Sequence, residues 1–472
     1  MNHPIPKSWI SHFGKLLLTA LWVFVLKSSA VSQKSEPTPE KASNGLPISN
    51  ELTSVASCLT SGCHGSRQLD APLWQRAGRI WFDDDPHAKA YSHLLTERSL
   101  QIGEKLLHRS FRSDQDEDYQ TFLEQRCISC HASQHETRYQ LVLGADCQVC
   151  HGPTKSWGDE HYSTKWRELK SKRFDGTPML NTENLVTRAQ ICVSCHVGDL
   201  TSKSMKREVD HDLMAAGHPP MHFEFETFLR AYPVHWDVEQ DKKLFGKEVS
   251  HERWRIGQLV SVQARLQMLL DRAEAAQNPS VTQRVWPELT EYSCYGCHHS
   301  LAHPSWRQSH GANQIYDWDA WSLAGLEYAI PSPKRPQLVP MIAELRKATG
   351  QHVDSLSSIQ ATANQLKSFV MQELDLSRSE SDRAVPQIKS DLERLLQESS
   401  DGKSWEASTQ WYCAVIAHIE SLSTLDRSKH TLSNAVSDQI NREFLNGPVS
   451  YHPIQLDSNR KYLEELLRKA QP

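Results

Sequence analysis

The sequence predicts a mainly α protein in two parts: residues 51–310 with little regular structure, then an α-helical C-terminal domain over residues 311–472. Three observations carry that division. Cysteine and histidine crowd the first part in a repeated spacing. Apolar residues recur at helical intervals in the second. Hydrophobic residues make up only 38% of the 472-residue chain, too few for a large aliphatic core along its whole length. That low apolar content excludes a bundle of membrane spans, and 14 Trp, 12 Tyr and 12 Phe exclude full disorder. A net charge of −5 argues against a nucleic-acid partner, which would demand clustered Lys and Arg.

The N-terminal segment stands apart. Lys7 and Lys15 precede the apolar stretch Leu16 to Leu26, and Ser28-Ser29-Ala30 supplies small residues for cleavage. These 11 residues fall short of the ~20 that a spanning helix needs, and Lys27 closes the run. Residues 1–30 read as a signal peptide, which implies a periplasmic or otherwise exported protein; retention of the segment as a membrane anchor is the alternative. Residues 31–50, rich in Ser, Pro, Glu and Lys, read as a flexible linker.

Ten of the 11 cysteines fall into five pairs, each followed at once by histidine. Four are Cys-x-x-Cys-His: Cys127, Cys130 and His131; Cys147, Cys150 and His151; Cys192, Cys195 and His196; Cys294, Cys297 and His298. The longer first motif is Cys58, Cys63 and His64. Cys-x-x-Cys-His is the attachment signature of c-type haem. Two thiols add to the two vinyl groups of one porphyrin, and the adjoining imidazole becomes the proximal ligand of the iron. Disulfides alone would not place histidine after every pair. Structural zinc joins two dyads through a loop, and a thioredoxin-like dithiol needs only one pair in a βαβ context. The first motif has four intervening residues, so a Cys58–Cys63 disulfide beside His64 is its alternative reading. Cys413, without a partner in this pattern, reads as a buried free thiol.

The chain holds 24 His, and beyond the five motif histidines most lie before residue 311, interspersed with the motifs. That enrichment is what bis-histidine ligation of several haems predicts, although a histidine here can also bond a haem propionate or sit in solvent. The expected cofactor is therefore haem c, about five copies, covalently attached. Porphyrins would supply much of the buried apolar surface that the composition lacks.

Three stretches resemble the tetrahaem cytochrome c-554 family, also called c-552/4. They are Asp85-Pro86-His87-Ala88-Lys89-Ala90-Tyr91, Cys150-His151-Gly152-Pro153 with His161, and Cys195-His196-Val197-Gly198-Asp199. The family's members are electron carriers best known beside hydroxylamine oxidation in ammonia-oxidising bacteria. Ala215-Ala216-Gly217-His218-Pro219, Phe223 to Glu226, His235-Trp236 and Cys297-His298-His299 are similar to longer multihaem relatives, so the resemblance covers roughly residues 54–305. It implies a multihaem cytochrome c domain with little regular structure around stacked haems. It also implies that His87, His161 and His218 are distal haem ligands, with His211, His222 and His235 as further candidates that could equally serve propionates or the surface. The family pattern has four motifs and this chain has five, so the resemblance leaves the haem-to-haem correspondence open.

Helical periodicity gives the rest. Ile256, Leu259, Val260, Val262, Leu266, Leu269 and Leu270 mark a helix before the fifth motif, with Arg253, Arg255, Arg265 and Arg272 at polar positions and Pro279 and Pro287 bounding its end. After residue 310, five faces recur at helical spacing: Leu338/Met341/Ile342/Leu345, Ile359/Ala363/Leu366/Val370/Leu374, Ile388/Leu392/Leu395/Leu396, Trp405/Tyr412/Val415/Ile416/Ile419 and Tyr462/Leu466. This region reads either as a plain bundle against the haem domain or as a docking surface for a redox partner.

Irons held by strong ligands on both faces pass electrons but bind substrate poorly. The expected function is an exported multihaem c-type cytochrome that exchanges electrons with redox partner proteins, with no nucleic-acid partner and a membrane association only if the N-terminal segment is retained. The alternative is an oxidoreductase acting on nitric oxide, nitrite or hydroxylamine at a five-coordinate haem. All five motifs end in His rather than the Lys that resembles ammonia-forming nitrite reductases, which counts against one form of that alternative.

Overall fold

Helices supply the regular structure among the described residues, and the longest of them is the one expected from apolar periodicity before the fifth motif. The computed structural model describes residues 55–133, 143–166, 179–201, 206–237, 249–277, 286–298, 317–350, 356–379, 385–397 and 404–423. All of these belong to one compact unit, Leu46–Pro472. The expected signal peptide (1–30) and linker (31–50), Pro279, His299 and the Tyr462/Leu466 face lie outside the described residues. Among the described residues the only β pairing is two isolated bridges, Asp199 with Arg207 and Tyr292 with Trp318.

The N-terminal half is built from short helices: α1 (Leu73–Asp84), α2 (Glu97–Leu107), α3 (Glu117–Arg126), α4 (Ile128–His131), α5 (Cys147–His151), α6 (Leu185–His196), α7 (His211–Ala216) and α8 (Phe225–Ala231). Their starts follow local chemistry. Asn184 accepts a hydrogen bond from the Thr187 amide (3.0 Å) at the head of α6, and Asp210 accepts from Leu213 (2.8 Å) at the head of α7. Tyr91, Leu94, Tyr119, Phe122, Leu123, Ile128 and Ala132 form a small core among α2, α3 and α4. The Tyr119 hydroxyl inside it donates to the Leu94 carbonyl (2.6 Å).

Helix α9 (Val249–Gln277) is the axis of the larger core. Trp254, Leu259, Val262, Leu266 and Ala273 are fully buried on several sides of it, because α6, α8 and three of the later helices surround it. Those that follow are α10 (Cys294–Cys297), α11 (Ala320–Ala329), α12 (Arg335–Gly350), α13 (Leu356–Ser379), α14 (Val385–Gln397) and α15 (Trp405–Ser423). The last four coincide with four of the five expected apolar faces. One continuous cluster joins Leu185, Val186 and Val193 of α6 to Leu259 and Leu266 of α9, Leu323 of α11, Ile342 of α12 and Leu366 of α13. Described helices before and after residue 310 thus share one aliphatic core. A second cluster holds α14 and α15 through Leu395, Trp411, Val415 and Ile419, with Trp254 of α9 contributing to it.

The arginines of α9 occupy polar positions by periodicity, yet two of them are buried. Arg272 pairs with Glu291 and with Glu208 (2.9 Å), and Arg255 lies 3.5 Å from Glu373 and 3.7 Å from Glu252. A helix enclosed on most sides has no solvent face for them, so each is matched by carboxylates from neighbouring elements.

Two substitutions test this packing. Leu259→Ala should destabilise the protein by about 3 kcal/mol, the usual scale for a large-to-small change in a tight core. Arg272→Ala should cost about 3–5 kcal/mol by leaving Glu291 uncompensated. Thermal unfolding followed by far-UV circular dichroism measures both.

Candidate haem sites

Four of the five motifs are single helical turns or the last turn of a helix, which places the two cysteines three residues apart on one side. Asp146 starts α5 by accepting from the Gln148 amide (2.9 Å), so the third motif carries its own cap. The first motif cannot be one helical turn, because four residues separate its cysteines. Its loop closes through hydrogen bonds from the His64 amide to the Cys58 carbonyl (3.1 Å) and from the Gly65 amide to the Thr60 carbonyl (2.9 Å). A Cβ at Gly65 would fall 1.9 Å from the Leu59 carbonyl oxygen, so only glycine permits this closure. The turn rests on α1, where the Gly78 amide donates to the His64 carbonyl (2.9 Å) and the His64 Nδ1–H donates to the Trp74 carbonyl (2.6 Å). No cysteine is joined to another in a disulfide, Cys58 and Cys63 included, and Cys413 is partly buried.

Each motif histidine faces a second histidine. The ring centres of His64 and His161 are 6.2 Å apart, those of His131 and His218 6.4 Å, His151 and His235 6.4 Å, His196 and His87 5.9 Å, and His298 and His211 6.3 Å. Metal–nitrogen bonds of about 2.0 Å, and about 1.1 Å from nitrogen to ring centre, put two imidazoles on one iron about 6.3 Å apart, so the residues present fit a bis-histidine haem. The ring planes differ among pairs: 18° for His64/His161 and 28° for His211/His298, against 72°, 87° and 89° for His151/His235, His131/His218 and His87/His196.

Main-chain carbonyls orient most of these rings. The Nδ1–H of His131 donates to Ala90 (3.0 Å), that of His161 to Gly158 (2.5 Å) and that of His218 to Pro219 (2.8 Å), while His235 bonds the backbone at Pro233. A donating Nδ1 leaves Nε2 with a lone pair for a metal. Burial depresses the basicity of His131, His218 and His235, and brings His196 down to about 4, so these rings stay neutral at neutral pH, the form that ligates. Burial also pushes the thiols of Cys127, Cys147 and Cys192 up to about 12.

His87 differs. Its Nδ1–H donates to Oδ1 of Asp85 (2.8 Å), which raises the basicity of His87. Burial pushes Asp85 up, but the His87 and Tyr232 hydrogen bonds overcome it and leave the carboxyl below its usual range. Gly144 lets the chain before the third motif pass close to this site: a Cβ there would sit 2.4 Å from the His87 carbonyl oxygen, and φ is +68°.

The sites neighbour one another. Cys147 is within electrostatic range of Cys58, and Cys150 of Cys192. Cys195 is hydrogen-bonded to Cys130. Val197, beside His196, lines an open cleft with Cys294, Met214, His222, Arg265 and Trp321. His222 thus lies beside the fifth motif, its ring between Trp321 (5.0 Å) and Trp405 (5.2 Å). The sequence held no signal for which histidine faces which motif, and none for the Asp85 contact with Tyr232; both arise from segments far apart in the chain.

Residues 146–215 match the family model of cytochrome c554 and c-prime, a span that includes the third motif, the fourth motif and His211. No curated protein and no solved structure matches the chain. The matched span is shorter than the stretch over which the motifs resemble the family. The chain carries the Cys-x-x-Cys-His pattern of haem c attachment, and over residues 146–215 it resembles the cytochrome c554 family.

Proposed function

We propose that this protein is an exported pentahaem electron-transfer cytochrome in which every iron lies between two histidines. The observation that carries the reading is the second imidazole within 5.9–6.4 Å of each motif histidine. When bound, haem c supplies one-electron chemistry at its iron. Cys58 and Cys63, Cys127 and Cys130, Cys147 and Cys150, Cys192 and Cys195, and Cys294 and Cys297 would tether the five porphyrins. His64 with His161, His131 with His218, His151 with His235, His196 with His87, and His298 with His211 would hold the irons.

The neighbour relations suggest an order. The first and third sites adjoin, the third adjoins the fourth, and the fourth adjoins both the second and the fifth. Electrons would enter and leave through redox partner proteins at the terminal sites of this branched order, the first, second and fifth. The signal segment supports periplasmic delivery. No helix among the described residues is long and apolar enough to cross a membrane. The helices after residue 310 serve in this reading as the scaffold that holds α9 and the fifth motif.

Pyridine haemochrome assay with intact mass should give five haems per chain, and electron paramagnetic resonance of the oxidised protein should show low-spin iron alone. Four haems would return Cys58 and Cys63 to a disulfide, and a high-spin signal that shifts with nitric oxide would support catalysis at an open iron instead. His161→Ala should convert one iron from low-spin to high-spin. Gly65→Ala should lower the covalent haem count from five to four, read by mass.

A further inference from the structure

Four of the paired rings, His64, His131, His161 and His218, donate from Nδ1 to main-chain oxygens and His235 bonds the backbone at Pro233, whereas His87 donates to a carboxylate. That carboxylate is buried, with Asp85 at 1% exposure, and low polarity strengthens its effect. Oδ1 accepts both the His87 amide (2.9 Å) and the His87 ring (2.8 Å), and Oδ2 accepts the Tyr232 hydroxyl (2.6 Å). Capping the short turn at Pro86–Lys89 requires no charge, since asparagine caps as well as aspartate.

We infer that Asp85 is a positioning residue that lowers the reduction potential of the fourth site, where Cys192, Cys195 and His196 face His87. The inference rests on the bis-histidine reading above. A charged acceptor draws on the Nδ1 proton and enriches Nε2, which favours the more highly charged metal, and a fixed negative charge nearby opposes the arrival of one electron. Tyr232 offsets part of this by donating to the other carboxylate oxygen. The fourth site adjoins the second, third and fifth, so Asp85 sets the level of the junction through which those sites communicate.

The test uses the full-length haem-loaded protein in a redox titration with mediators, followed by paramagnetic resonance. His87→Ala first identifies the low-spin signal of this site as the one that is lost. Asp85→Asn, which keeps the cap and removes the charge, should raise the midpoint of that signal and leave the others in place. Tyr232→Phe should shift the same midpoint the opposite way, because the carboxylate then keeps its full charge. Any other pair of outcomes, such as no shift or shifts in the same direction, overturns the role of Asp85 while leaving the ligation intact. Loss of no low-spin signal in His87→Ala overturns the ligation reading itself. If Asp85→Asn does not fold, Tyr232→Phe decides alone: a lower midpoint supports the inference, and an equal or higher one overturns it.

Discussion

Two imidazoles that serve one metal must face each other across a fixed gap of about 6 Å, and under the proposed ligation this requirement organises the N-terminal half of the chain. The paired histidines are far apart in sequence, His64 with His161 and His87 with His196 among them, and the five pairs interleave so that each spans part of another. Closing such loops costs chain entropy that short helices alone do not recover. Interleaving also means that no segment of this half can be lifted out as a smaller domain. The turns that carry the rings are therefore pinned individually, by hydrogen bonds from His64 and His131 to carbonyls of other turns, from His161 and His218 to carbonyls of their own turns, and by glycine at Gly65 and Gly144, where two stretches of chain nearly touch.

The larger core secures these turns from one side. Helix α9 touches α6, whose last turn is the fourth motif, and α8, whose Phe228 packs on the ring of His196 at 5.1 Å. Glu291, bonded to Arg272 of α9, also accepts from the Trp318 indole (3.0 Å), and Ser293 donates to Glu406 of α15 (2.7 Å), which fixes the approach to the fifth motif. Helices that bear no motif cysteine thus hold a motif in place. In the proposed function, positional precision at the irons depends on packing beyond residue 310 as much as on the motifs themselves.

Much of this was legible in the sequence. The motif spacing singled out the ten cysteines and five histidines to which the proposed function assigns the tethers and proximal ligands, because covalent attachment would confine those residue types to a short local pattern. Helices α9 and α12 to α15 followed from apolar periodicity. Helices α1 to α3 and α11 did not, because α1 to α3 bury few aliphatic residues and α11 is buried nearly all round, leaving no polar face to set a period. His87, His161 and His218 were found through the resemblance, whereas His211 and His235 looked no different from surface histidines until the fold brought them opposite His298 and His151. Pairing is a tertiary property, and so is the burial of Arg255 and Arg272, which periodicity alone places in solvent.

The interleaved order of the pairs bears on how such a protein matures. A chain delivered from its N-terminus presents His64, His131 and His151 well before His161, His218 and His235, but presents His87 and His211 well before His196 and His298. Under the proposed ligation, the first three motifs would pass through an interval with only one axial histidine while the partner is still to emerge, and the last two would meet a partner already outside. Nascent-chain order therefore divides the five sites into an early group, open to stray ligands during assembly, and a late group closed as soon as it forms.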